Sequence, residues 1–404
     1  MSFFPVFLCP TPWLRGLIRG WCGATWSDVS GTVTASDQSR RSNLFRKPLL
    51  DSAQGEVRPT VNRSRAISYS LSILLFLVSV PSVSAADSYL DNHKKSLAVQ
   101  VQHAIYNDNF MAADSMGRQM LDLYPGDPLG PFCLAATLLG RMFDQEQAEP
   151  RDSLFAWLDM TDQLAAQIMD TCNTNSAAWM SFFRGHVRSY RAMWESKFGS
   201  KFRALRLGFD ARSQYEQGWK LDSGCYDLCL GLGLYHYWKS AKGGLLRRLR
   251  ILKDETERGI DELRLAADSS SISCEAARNS LIWIWLDSNQ YDSALVLTEQ
   301  MTRQFPKGKL FLWPLAETHF RMKRYGRAVE VYTDIRGRLE RDVGNYYNLI
   351  ECDHQLYLCF DELGMQEKAR KVALRFGEYR EQIPKETNRR QRHKLKLLSR
   401  ASRP

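Results

Sequence analysis

The motifs that most often announce catalysis are missing from this 404-residue sequence. It has no GxSxG elbow, no Walker phosphate loop, no Rossmann glycine fingerprint and no HExxH pair, which removes the usual signatures of hydrolases, nucleotide enzymes and zinc proteases. Paired CxxC spacing is absent too, so no zinc ribbon is written into the chain. Glycine and proline are sparse, at 25 and 14 residues, and no long alternating apolar run with turn signals occurs beyond the N-terminal region. Those shortages argue against a sandwich or barrel of strands and favour helices.

What is present suits a folded helical protein, with 44% hydrophobic and 25% charged residues. Its formal net charge of +10 is unevenly placed. Residues 385–404 hold eight basic and one acidic side chain, whereas residues 86–384 hold 38 basic against 40 acidic. The body is therefore nearly neutral, and the overall basicity does not describe its surface. We read 384–404 as a basic, disordered tail; Leu395, Leu397 and Leu398 within it would suit a short amphipathic helix on an anionic envelope surface.

At the other end, Val61–Ala86 reads VNRSRAISYSLSILLFLVSVPSVSAA. Arg63 and Arg65 precede an apolar core, and Val83-Ser84-Ala85 places small residues for cleavage, so 61–85 reads as a secretory signal peptide. The alternative is an uncleaved inner-membrane anchor, for which the core is short. Residues 1–60, rich in Ser, Arg and Pro, are expected to be a non-structural leader or an over-extended start. The expected location is exported, periplasmic or outer-membrane associated, which sets nucleic acid aside as a partner.

Seven cysteines follow the signal: Cys133, Cys172, Cys225, Cys229, Cys274, Cys352 and Cys359. Their number is odd. Cys225 and Cys229 lie one helical turn apart but sit among apolar neighbours, where a free thiol behaves as a small hydrophobe. No metal or other cofactor is expected. His186, His236 and His319 are scattered and form no ligand signature.

Late in the chain a period emerges. Leu281 and Leu315, Tyr291 and Tyr325, and Ala294 and Ala328 are each 34 residues apart. Pro306 ends the first of these units. An earlier unit keeps Phe110, Ala113 and Pro125, and a later one keeps Leu356, Phe360, Gly364 and Ala369 at a spacing stretched to 41 from Ala328. On these residues the chain resembles the tetratricopeptide-repeat family over roughly residues 89–380. The resemblance implies an all-α, right-handed solenoid of about six or seven antiparallel helix pairs over 86–383. It also implies a concave groove, lined by the first helix of each pair, that receives a protein or peptide partner without catalysis.

Candidate contacts follow from that expectation. Arg184 and Arg188, with Arg191 on the same side, could grip an acidic segment bidentately. Tyr235 and Trp238 lie in GLGLYHYW, where Gly233 would let the next helix approach and Gly259, displaced by about 14 inserted residues, would be its counterpart. The insertion KSAKGGLLRRLRILKD carries Arg247, Arg248 and Arg250 as a basic element that caps the groove or touches an acidic surface. Trp283, Trp285, Trp313 and Phe311 form an aromatic concentration best read as core. An envelope-attachment module using the basic segments, and a hydrolase built on the repeat, are the alternative functions.

Overall fold

The computed structural model describes residues 88–242, 253–342 and 344–402. The leader, the signal-peptide segment and the basic insertion with Arg247, Arg248 and Arg250 lie outside the described residues. Within them the chain is all-helical, with fifteen α-helices and no strand.

The helices pack in adjacent pairs. The series begins with α1 (Asn92–Tyr106) and α2 (Phe110–Leu123), then α3 (Leu129–Asp144) and α4 (Arg151–Met169). Next come α5 (Thr174–Phe198) with α6 (Lys201–Leu221) and α7 (Leu228–Lys242) with α8 (Thr256–Ser269). They are followed by α9 (Cys274–Asp287) with α10 (Tyr291–Gln304), and α11 (Leu312–Arg321) with α12 (Tyr325–Glu340). The last pair, α13 (Tyr346–Glu362) and α14 (Gln366–Tyr379), is covered by α15 (Lys385–Ala401). This arrangement is that of an α-solenoid.

Local chemistry sets the boundaries. Asp91, Asn173 and Ser200 each accept a hydrogen bond from a backbone N–H in the first turn of the helix they precede. Such caps satisfy donors that a helix start leaves open. The turns inside five pairs share one geometry. Asp108, Glu146, Asn289, Lys323 and Gly364 all take positive φ, between 56° and 69°. After each, a backbone N–H reaches back five residues: Asn109 to Ala104, Gln147 to Met142, Gln290 to Trp285, Arg324 to His319 and Met365 to Phe360, at 2.8–2.9 Å. This is the Schellman ending of a helix. Only Gly364 adopts it without a side-chain penalty, so the other four turns are held by the packing of their helices.

The small residues read from the sequence occupy the crossings. Ala113, Ala294, Ala328 and Ala369 are buried, and Gly233 meets Gly259 backbone to backbone. A Cβ on Gly233 would lie 2.7 Å from the Gly259 carbonyl oxygen, so only glycine permits this approach. GLGLYHYW is thus helical core. Tyr235, Tyr237 and Trp238 are all buried within α7.

The basic tail departs from expectation. Residues 385–401 are helical rather than disordered, because Gln391, Leu395 and Leu398 form a buried stripe against α13 and α14 with Ile350, Phe376 and Tyr379. Lys394 pairs with Glu351 on α13. Leu395 and Leu398 are consequently spent on the core, and only the basic face of α15 is turned to solvent. The seven cysteines are all unbridged, five of them buried. No described helix is long and apolar enough to cross a membrane.

Candidate binding site

The series of pairs curls until its first pair touches the fifth and sixth and its second pair touches the C-terminal helices. Gln102 on α1 donates to the Ile272 carbonyl at 2.6 Å, 170 residues away. The ring of Tyr106 packs edge-on against Phe305 and Phe311, at 5.1 and 5.8 Å between centroids. Beyond α1, the Lys307 amide donates to Asn107 and the Lys309 amide to Asp108. Gly308 passes so close to Tyr106 that a Cβ there would overlap its carbonyl oxygen. A second seam joins α3 to the C-terminal pair, where Asn345 and Asn348 both donate to the Asp144 carbonyl, at 2.9 and 2.6 Å.

Two buried ion clusters reinforce these seams. In the first, Lys309 Nζ stands 2.7 Å from Asp108, 3.2 Å from Asp144 and 4.0 Å from Asp342. One ammonium faces three carboxylates. Burial disfavours the charged form of Asp144, and Asp108 and Asp342 add to this against the pull of Lys309, raising its pKa to about 7. Burial also works against the Lys309 charge, but Asp144 and Asp108 outweigh it and raise its pKa. Below about pH 7 the protonated form of Asp144 is favoured beside a charged lysine. In the second cluster Glu146 lies between Lys197, at 2.8 Å, and Arg390 of α15, at 2.7 Å. Here two cations face one carboxylate.

Inside the closed curve lies an apolar cavity of about 130 Å³. Side chains from α1, α3, α5, α7, α9 and α11 line it, so the first helices of the pairs do form the inner wall. On α5 the lining residues Phe182, His186, Tyr190 and Met193 follow helical spacing along one face. Phe132 of α3 stacks on Tyr190 at 5.6 Å, and His186 stands edge-on to the same Tyr190 ring.

Several lining residues, Gln102 and Ser273 among them, carry polar groups that are not spent on the ion clusters. His186 Nδ1 contacts the Phe182 carbonyl at 3.0 Å; a carbonyl only accepts, so Nδ1 donates. Burial lowers the His186 pKa to about 4, so the ring is neutral at pH 7 and Nε2 is an acceptor. Tyr106 and Tyr190 are held in the phenol form, first by burial and, for Tyr190, also by the neighbouring Tyr106. Asn279 on α9 is 3% exposed, and its Oδ1 has no donor among the described residues. Burial pushes the lining thiol of Cys133 up to about 12.

The contacts proposed from sequence lie elsewhere. Arg184 and Arg188 occupy the opposite face of α5, where both reach Asp162 of α4, at 3.1 and 2.9 Å. Burial works against the Asp162 charge, but Arg188 and Arg184 outweigh it and lower its pKa. Tyr235 accepts from Arg212 at 3.2 Å and lies beneath its guanidinium. Trp238 packs edge-on with Tyr237. None of the four lines the cavity, and they do not form a single patch.

The three histidines are likewise apart: His186 in the cavity, His236 against Glu262 at 2.5 Å, and His319 on α11. Phe311 and Trp313 are buried core, with Trp313 also reaching the cavity. The sequence reading missed Tyr106, Asn279 and Lys309. The stripe Phe182, His186, Tyr190 and Met193 was legible as a face, whereas the meeting of α1 with α9 has no local signal. No family model matches the chain, and no curated protein matches it either.

Proposed function

We propose that the chain is a non-catalytic, tetratricopeptide-type binding protein of right-handed helix pairs, seven within the described residues, exported to the bacterial cell envelope. Its binding element is the interior of the closed curve, which holds a small apolar molecule. The observation that carries this reading is the cavity itself, walled by the first helices of six successive pairs. Pockets of this kind, mostly apolar with a few placed polar groups, are the usual form of small-molecule sites. A peptide in an open groove, the occupant suggested by the sequence, needs more room and would require both ion clusters to part. An apolar cavity of about 150 Å³ is large enough to take benzene.

Binding of fluorobenzene to the purified chain, followed by ¹⁹F NMR, tests the reading. Saturable binding is expected, and Ala276→Leu, which fills the cavity from α9, should remove it while the helical circular dichroism is kept. Unchanged binding in that variant would move the site elsewhere.

A second reading rests on a separate observation. Lys385, Arg389, Arg392, Lys396 and Arg400 are all exposed along α15. This face would hold the protein on an anionic envelope surface, each near-surface cation adding about 1 kcal/mol. Co-sedimentation with phosphatidylglycerol vesicles should fall when Arg392, Lys396 and Arg400 are changed together to Glu. Equal sedimentation of the triple variant would remove the attachment reading.

A further inference from the structure

We infer that the outer surface of the first two pairs carries a second binding site, a trough between α2 and α4 that takes an amphiphile with an anionic head and a medium-length alkyl tail. It is separate from the interior cavity and does not depend on it.

Three helical stripes make the trough. Both α2 and α4 pack on α3, and each helix contributes lining residues over two turns: Met111 to Arg118, Leu134 to Arg141 and Ser153 to Met160. Two turns advance about 10 Å, so walls and floor run side by side over that length. The space between them is about 720 Å³. Small-molecule sites usually measure roughly 300–1,000 Å³. The middle is apolar, with Leu134 and Leu138 from α3 and Trp157 and Met160 from α4. Met111 is 86% exposed and Met160 42%, so a tail laid between them would take apolar surface out of water.

The charges give the trough a direction. A Cβ on Gly140 would lie 3.5 Å from the Phe110 ring and one on Gly117 2.8 Å from Leu134, so α2 begins where α3 ends. The start of α4 follows α3 by a short connection, which brings Arg141, Met111 and Ser153 to one end. Toward the other end Arg118 is spent on Asp114, at 2.8 and 3.4 Å, and on the floor Thr137 donates its hydroxyl to the Cys133 carbonyl. Arg141 is exposed, and its side chain has no partner among the described residues. Trp157 Nε1 can only donate. Among the lining residues, then, the one uncommitted charge is positive and stands at the end of an apolar run. A carboxylate head on Arg141 with its tail along Leu138, Trp157 and Leu134 satisfies both features.

The deciding experiment compares octanoate, octanol and octyltrimethylammonium, which share a tail and differ in the charge of the head. Binding to the full chain is measured by isothermal titration calorimetry. Octanoate should bind roughly fivefold more tightly than octanol, as suits an ion pair at an exposed arginine, and the ammonium most weakly. Hexanoate should bind roughly tenfold more weakly than octanoate, because two methylenes stay in water. Arg141→Gln should bring octanoate and octanol to within about twofold of each other. Ala156→Trp, at an exposed position on α4, fills the trough and should abolish octanoate binding while fluorobenzene binding and the helical circular dichroism are kept.

Octanol or the ammonium binding as tightly as octanoate to the native chain would overturn the inference, as would a preference for octanoate that survives Arg141→Gln. Octanoate binding that persists in Ala156→Trp and disappears in Ala276→Leu would place the amphiphile in the interior instead. Failure of octanoate to bind would remove the trough as a site, whatever fluorobenzene does.

Discussion

The two ion clusters that close the curve have opposite charge balance. At Lys309 one cation serves three carboxylates, and at Glu146 one carboxylate serves two cations. In the first, burial and the neighbouring Asp108 and Asp342 favour the protonated form of Asp144 against the pull of Lys309. The second brings together Lys197 of α5 and Arg390 of α15 around a residue in the left-handed turn of the second pair. Closure is therefore a property of several distant turns at once.

The strongest break in this comparison is Lys309→Met. It leaves Asp108, Asp144 and Asp342 facing one another without their cation, and should cost about 3–5 kcal/mol in urea denaturation. Glu146→Gln keeps an acceptor for Lys197 and Arg390 but removes the charge, so about 2 kcal/mol is expected by the same measurement.

The pH response sharpens the contrast. The Asp144 pKa is raised in the folded chain, so its contribution is fully present below the ordinary carboxylate value near 3.8 and is lost as pH rises through about 7. Stability should accordingly fall between about pH 4 and about pH 7, by a few kcal/mol, and Asp144→Asn should flatten that slope. A slope that persists in Asp144→Asn would assign the titration to another group.

The smallest effect is expected on the outer face of α5. Arg184→Glu together with Arg188→Glu breaks part-exposed pairs with Asp162, and should cost about 1 kcal/mol while leaving fluorobenzene binding intact. Loss of that binding would mean that the two faces of α5 are coupled.

Much of the architecture is legible residue by residue. The 34-residue offsets place Ala294 and Ala328 at equivalent crossings, and both are buried. Gly233 and Gly259 meet as the spacing implies. The tail is less legible, because its eight basic residues obscure the Gln391, Leu395 and Leu398 stripe that needs α13 and α14 to cover it. The candidate site is legible only in part. His186 and Tyr190 share a visible helical face, yet Arg184 and Arg188 look equally prominent until Asp162 is seen to hold them.

The sequence by itself determined the helices, their pairing and the small residues at their crossings, because these depend on contacts within one or two turns and between neighbours. Tertiary structure alone decided that the curve closes, since Gln102 meets Ile272, Lys309 meets Asp108 and Arg390 meets Glu146 across 170 to 244 residues. No local pattern encodes a contact that depends on the summed rotation of several pairs. With closure an open groove becomes a cavity, and Asn279 changes from a polar residue on a helix into a buried residue of its wall.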